Sequence, residues 1–239
     1  MNTEKIKKLN VKMVAHRGVS GLERENTAAA FVAAGNRSYY GIETDVHVTA
    51  DKKYIIIHDD DTERVAGVKL GVEESNYEDL RKIRLKDLDG NDRADLCFPS
   101  LEEYLDICKK YEKVCVLELK NPMAAEDIKG IYETVVKTYE VKSVIFISFS
   151  YENLVELRKL DKTATLQFLT GDQVTDDLIK KIKKYDMDLD IYYERLNKEN
   201  ILFLHSSGVK VNCWTVNDFS YGEKLATWDV DFITSNILE

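Results

Sequence analysis

Apolar and polar positions alternate along this chain in two rhythms, and the rhythms take turns. Short runs rich in Val, Ile, Leu and Phe recur at 11–16, 41–48, 114–120, 143–148, 165–169, 188–193, 209–214 and 231–234. Each is short enough to be a buried strand. Between most of them lie stretches whose apolar residues return every three or four positions: 28–36, 101–111, 124–139, 152–160, 176–185, 198–206 and 221–227. These predict amphipathic helices. Ser100 precedes "LEEYL" and places Glu103 three residues on, a capping-box spacing, and Ser150 and Thr175 stand where similar caps would sit.

Strand and helix alternating eight times predict parallel pairing through right-handed crossovers, and a chain of 239 residues has the size of a (β/α)8 TIM barrel. An open doubly wound sheet is the competing fold. It would call for a GxGxxG turn after an early strand, and "HRGVSG" lacks that spacing. One region departs from the rhythm. Residues 60–98 are polar and turn-rich, longer than ordinary loops, and predict a small insertion after the second strand. The expectation is a single TIM-barrel catalytic domain over 1–239 carrying that insertion.

In such a barrel the reactive groups gather at the C-terminal ends of the strands. His16 and Arg17 end the first strand. On the second, Glu43 and Asp45 are two apart and share a face, while Ile42, Thr44 and Val46 take the other. The third long run repeats the device, with Val116, Glu118 and Lys120 on one face and Cys115, Leu117 and Leu119 on the other. Three inward carboxylates with no thiolate among them suit a hard divalent cation, Mg²⁺ or Ca²⁺. The alternative is a buried ion-pair network in which Glu43 and Asp45 only meet Arg17 and Lys120.

"YIIIHDDD" delivers His58 at the end of an apolar run that reads as the hairpin return from "DVHVTADKKY". Two imidazoles at strand ends beside acids can act as base and acid, each contributing roughly 10² to 10⁴ in rate. Arg17 and Lys120 are the residue types that hold a phosphoryl group. His47 shares the parity of the acids but lies beyond them toward a turn, which places it on the surface, and His205 reads as a helix C-terminal cap. Trp214 and Phe149, each at the end of a strand, suit either a substrate wall or the core.

Composition narrows the partners. The hydrophobic share of 44% and charged share of 32% are those of a globular protein. With 34 basic against 43 acidic residues, the net charge of −9 opposes binding to nucleic acid. The first dozen residues hold no apolar run of signal-peptide length, no stretch is long enough for a membrane span, and the four cysteines read as reduced thiols, so the expected location is cytoplasmic.

Taken together, "HRGVSGLERENTAAAF", "GIETDVHVTADKKYIIIHDD", "FPSLEEYL", "LELK" and "CWTVN" resemble, in order and spacing, the glycerophosphodiester phosphodiesterase family, over nearly the whole chain. The resemblance implies a (β/α)8 barrel, a divalent ion held by Glu43, Asp45 and Glu118, and catalysis by His16 and His58. It further implies phosphate binding by Arg17 and Lys120, Trp214 and Phe149 along the glycerol or alcohol side, and Asn26 supporting the site. The implied reaction is hydrolysis of a small glycerophosphodiester to glycerol 3-phosphate and an alcohol through a cyclic glycerophosphate. Three departures stand out. Arg24 replaces the family's proline before "ENT", "ADKK" lacks its glycine, and "ITSNIL" lacks its aspartate and proline. Arg24 is expected to reshape the first loop or add positive charge at the cleft mouth. The rivals are a related phosphodiesterase that releases a cyclic phosphate, and a non-catalytic metal- or ligand-binding barrel.

Overall fold

A computed structural model describes residues 2–239. The chain runs β1 (Lys12–Ala15), α1 (Ala28–Gly35), β2 (Gly41–Val48), β3 (Tyr54–Ile56), α2 (Glu63–Ala66), α3 (Tyr77–Lys82), α4 (Leu101–Lys110), β4 (Val114–Leu119) and α5 (Ala125–Thr138). It continues through β5 (Val144–Ser148), α6 (Tyr151–Leu160), β6 (Thr165–Thr170), α7 (Asp176–Lys183), β7 (Asp188–Tyr192), α8 (Lys198–Ser206), β8 (Val211–Trp214), α9 (Phe219–Thr227) and β9 (Phe232–Ser235). The strands pair in the order β1-β9-β8-β7-β6-β5-β4-β2, and β1 also pairs with β2, which closes the ring. All these pairings are parallel, so among the described residues the fold is a closed eight-stranded parallel barrel with helices between strands. The TIM barrel read from the alternation is the fold.

Strand parity sorts the side chains into two layers. Outward residues such as Ile42, Val46, Leu117, Leu119, Phe146, Leu189 and Ile191 are buried under the helices in the main core. Inward, a small apolar cluster of Val14, Val116, Ile145, Ile147, Leu169 and Phe232 fills part of the barrel. The rest of the interior is polar and buried: Glu43, Asp45, Glu118, Gln167, Asp190, Asn212 and Thr234.

Helix starts follow the capping chemistry. Ser100 and Glu103 form the reciprocal capping box of α4, and the side chains of Ser150 and Thr175 cap α6 and α7. Helix α9 begins at Phe219, earlier than its apolar period suggests, because the Asp218 carboxylate accepts from Tyr221 N.

Strand β3 runs back antiparallel along the end of β2, with His47 opposite Ile55. Its alternation serves two cores. Ile56 belongs to the barrel's outer layer, whereas Ile55 and Ile57 pack with Val65, Val72, Leu80, Leu85, Leu96 and Phe98 of the segment that follows.

That hairpin overturns the surface placement of His47, which is fully buried. At His47, past the last pairing with β4 at Val46, β2 pairs with the return strand, and the later segment that carries Glu73 approaches the ring. Nε2 lies 3.4 Å from His58 O, and Nδ1 lies 3.5 Å from Glu73 Oε1. His205 does occupy the last turn of α8, but its ring turns away from the helix carbonyls to Asp231, with Nε2 at 2.8 Å from Oδ2.

Candidate active site

The site grows from the turn after β1. Gly18 has φ +75, and a Cβ there would fall 2.6 Å from that of Ala30, so only glycine lets the turn lie against α1. Arg17 just before it is also left-handed, with φ 53, an arrangement that aims its backbone N–H at Glu43 Oε2, 2.7 Å away. The Arg17 guanidinium reaches Glu25 Oε1 at 2.8 Å and stands 3.6 Å from Asp45 Oδ2.

Asn26 ties the end of this loop to β2. Its Nδ2 donates to Asp45 Oδ2 at 2.7 Å, and its Oδ1 accepts from Thr44 Oγ1 at 2.7 Å. Lys120 closes the other flank, with Nζ 2.9 Å from Glu118 Oε1 and 3.4 Å from Asp45 Oδ1.

Among the described residues, Glu43, Asp45 and Glu118 form a buried group whose potential ligand oxygens all lie within 4.8 Å of one another. Register explains it, because Asp45 pairs with Glu118 across β2 and β4. The electrostatics show an excess of negative charge. Burial would raise the Asp45 carboxyl, but Lys120 and Arg17 outweigh it and hold it low. Burial and repulsion from Asp45 push Glu43 well up, and the same causes push Glu118 up to about 7 against the pull of Lys120. Among the described residues, Asp45 Oδ1 is buried with no hydrogen-bond partner. An all-oxygen donor set with surplus charge and an open lone pair fits a hard divalent cation.

The two histidines face this group from different loops and are held differently. His16 Nδ1 lies 2.7 Å from Asn236 Oδ1, an oxygen that also accepts from Ser20 Oγ, and His16 Nε2 is 4.0 Å from Glu43 Oε2. Burial, followed by the nearby Arg17, lowers its pKa to about 4. His58 Nδ1 lies 2.6 Å from Asp59 Oδ1. Burial also lowers the His58 pKa, against the pull of Asp45 and Asp59.

Asp59 and Glu25 are bridged by one guanidinium. Arg64 Nε is 2.6 Å from Asp59 Oδ2, and its two terminal nitrogens are 2.8 and 2.7 Å from the Glu25 carboxylate. A chain of alternating charges therefore runs His58, Asp59, Arg64, Glu25, Arg17. Arg24 is also turned toward this segment. Its guanidinium donates to Lys86 O and to Asp87 O, so its charge is engaged by carbonyls and is not free at the cleft mouth.

A cavity of about 180 Å³ opens here, lined on one side by His16, Arg17, Glu43, His58 and Glu118 and on the other by Ile147, Phe149, Leu169, Asp190 and Trp214. The Phe149 and Trp214 rings meet edge to face at 5.6 Å between centroids. Of the residues expected from sequence, these seven line the cavity: His16, Arg17, Glu43, His58, Glu118, Phe149 and Trp214. Asp45, Asn26 and Lys120 stand one contact behind it.

Sequence reasoning passed over Asp190. It missed the amide cluster beside it and the supports Asn236, Asp59, Glu25 and Arg64 as well. In that cluster Asn212 Nδ2 donates to Gln167 Oε1 and to Asp190 Oδ2, both at 3.1 Å, and Asn212 Oδ1 accepts from Thr234 Oγ1 at 3.1 Å. The signal was present in "DLDIYY", where Asp188, Asp190 and Tyr192 share one parity and Leu189 and Ile191 the other, just as in β2.

The chain is also similar to known proteins. The chain matches the model of the glycerophosphoryl diester phosphodiesterase family over residues 16–238. It is 28% identical to a glycerophosphodiester phosphodiesterase of Bacillus subtilis, covering 93% of this chain and 82% of that one. It is likewise 28% identical to one of Bacillus altitudinis, covering 93% of each. Among solved structures, a glycerophosphodiester phosphodiesterase from Parabacteroides distasonis superposes with a TM-score of 0.79 at 26% identity, covering 95% of this chain and 93% of that chain. A phosphodiesterase from Oleispira antarctica in complex with the product sn-glycerol-3-phosphate superposes with a TM-score of 0.86 at 22% identity, covering 98% and 96%. The chain belongs to the glycerophosphoryl diester phosphodiesterase family, enzymes that hydrolyse glycerophosphodiesters.

Proposed function

We propose that the chain hydrolyses a small glycerophosphodiester to glycerol 3-phosphate and an alcohol, using one divalent cation, Mg²⁺ or Ca²⁺, held by Glu43, Asp45 and Glu118. The observation that carries the reading is the meeting of three buried carboxylates with two histidines in one cavity. Bound there, the cation would act as a Lewis acid toward a phosphoryl oxygen. Arg17 and Lys120 hold the phosphate and balance its charge.

His16 is the base. Asn236 Oδ1 can only accept, so the proton of the neutral ring sits on Nδ1 and the Nε2 lone pair is left to face the site. A pKa near 4 keeps that lone pair available at neutral pH. Nε2 takes the proton of the glycerol 2-hydroxyl as its oxygen bonds to phosphorus. The bond from phosphorus to the alcohol oxygen breaks, and His58 gives that oxygen a proton. Asp59 at 2.6 Å pulls against the lowering by burial and so favours the protonated ring that gives the proton. Water then opens the cyclic glycerophosphate, with the two histidines exchanging roles. Trp214 and Phe149 flank the organic part of the substrate, and Asn26 holds Asp45 in place.

The chain works as one catalytic domain, in which the β2–β3 hairpin delivers His58 and residues 60–98 follow as an insertion. Its cysteines, all free thiols, favour a reducing, cytoplasmic setting. Among the described residues, no helix is long and apolar enough to cross a membrane. The test is release of glycerol 3-phosphate from glycerophosphocholine with Mg²⁺ or Ca²⁺ added, then with chelator. Release that chelator blocks and added ion restores is the expected result. A cyclic phosphate that persists would instead favour the cyclising relative, and no turnover of any glycerophosphodiester would favour the non-catalytic barrel.

A further inference from the structure

Asp190 is an anomaly in the interior. It is 2% exposed, it lines the cavity that Glu43 and Glu118 also line, and the hydrophobic residues Ile147, Leu169, Phe149 and Trp214 line it too. One of its oxygens, Oδ2, is fixed by Asn212 Nδ2 at 3.1 Å. The other, Oδ1, is buried and has no partner among the described residues. Buried polar atoms of folded proteins are nearly always paired, and the exceptions call for an explanation.

The side chain is also held rigidly. Asn212 is itself fixed on both sides, by Gln167 Oε1 and by the Thr234 hydroxyl, so the donor that anchors Asp190 Oδ2 is held in place. Register sets the arrangement, since Asp190 pairs with Leu169 on one side and Asn212 on the other. A polar atom prepared in this way, in a cavity lined in part by apolar side chains, selects for a ligand group that can bond to it.

We infer that Asp190 is a specificity residue that binds the terminal hydroxyl of the glycerol moiety, the hydroxyl that takes no part in the bond changes. The inference rests on the proposed glycerophosphodiesterase reading and deepens it. The chemistry favours a neutral hydroxyl over an ammonium. No cation contacts Asp190 among the described residues, Glu118 repels further negative charge, and burial pushes the carboxyl well up, toward its protonated form. A protonated acid offers both a donor and an acceptor, which a hydroxyl matches and an ammonium, a donor only, does not. A ligand lacking the hydroxyl would leave Oδ1 unpaired in the closed cavity, and that penalty produces selectivity.

The experiment compares glycerophosphocholine with its analogue made from propane-1,2-diol. The analogue keeps the hydroxyl next to the phosphate ester and lacks the terminal one. For the metal-loaded wild-type protein kcat/KM is expected to favour the full substrate by about tenfold or more. In Asp190→Leu the ratio should collapse toward unity, with most of the loss borne by the full substrate. Asp190→Asn, which keeps an amide donor and acceptor, should retain part of the preference, and it carries the comparison if the leucine variant does not fold. A ratio that is the same in wild type and both variants overturns the assignment while leaving the proposed activity intact. A wild-type protein that turns over neither diester overturns the parent reading, and this one falls with it.

Discussion

The two halves of the barrel interior bury polarity in opposite ways. On β2 and β4 and just past the ends of β1 and β4, the polar residues that reach inward are acids, a histidine and two cations, with Glu43 and Glu118 pushed up and Asp45 Oδ1 left open among the described residues. On β6, β8 and β9 they are Gln167, Asn212 and Thr234, neutral groups that bond to one another. Both sets are inward, buried and reached by the same alternation. The first carries surplus charge and so can act on a ligand, whereas the second joins neutral groups to one another and so gives shape. Reactivity in this fold is a matter of unfinished pairing more than of position.

The contrast breaks most visibly if the charged half does not carry the reaction. His16→Ala and His58→Ala should each lose roughly 10² to 10⁴ in kcat while far-UV circular dichroism and melting stay near wild type. A variant keeping a tenth of the activity would remove that histidine from the mechanism. Glu43→Gln should abolish the rise in melting temperature that millimolar Mg²⁺ or Ca²⁺ gives the wild type, a readout independent of turnover. An unchanged shift would mean that the ion binds elsewhere.

Acid should expose the charged half next. The folded pKa of His16 lies near 4 and its unfolded value near 6.5, so below 6.5 the unfolded chain binds the extra proton first. Stability is therefore lost as pH falls from 6.5 toward 4, by up to about 3 kcal/mol from this group. Denaturant melts of the metal-free protein at pH 7 and 4.5 measure it, and His16→Gln should flatten the slope. The neutral half should answer through stability. Asn212→Val removes the shared donor of Gln167 and Asp190 and should cost about 1 to 3 kcal/mol in urea unfolding. Arg24→Pro, which releases two carbonyls of the 60–98 segment, should have the smallest effect, about 1 kcal/mol, seen as faster limited proteolysis of that segment.

The charged half was the half that could be read from sequence. Period-two alternation placed Glu43 and Asp45 together, and the bounds of β2 follow its pattern from Gly41 to Val48. Spacing also announced the caps, because Ser100 and Glu103 need only local geometry. His47 was lost because parity says which way a side chain points but not what arrives to cover it, and here β3 and Glu73 arrive from later in the chain. Arg64 and Asn236 were equally out of reach, since their partners lie far away in sequence. Asp190 was within reach. Its strand repeats the two-acid device of β2, but with one inward acid buried and no cation beside it, a difference that only the barrel's closure reveals.

Strand β3 has a consequence for how the molecule comes apart. Ile56 is seated in the barrel while Ile55 and, just past the strand's end, Ile57 are seated in the neighbouring cluster, and the strand runs only from Tyr54 to Ile56. Peeling the strand from either side empties both, so heating should melt the 60–98 segment and the barrel in a single calorimetric transition. His58, next along the chain, would then be delivered to the cavity only by a molecule whose two cores have both condensed. Partially folded chains would be inert before they were unstable.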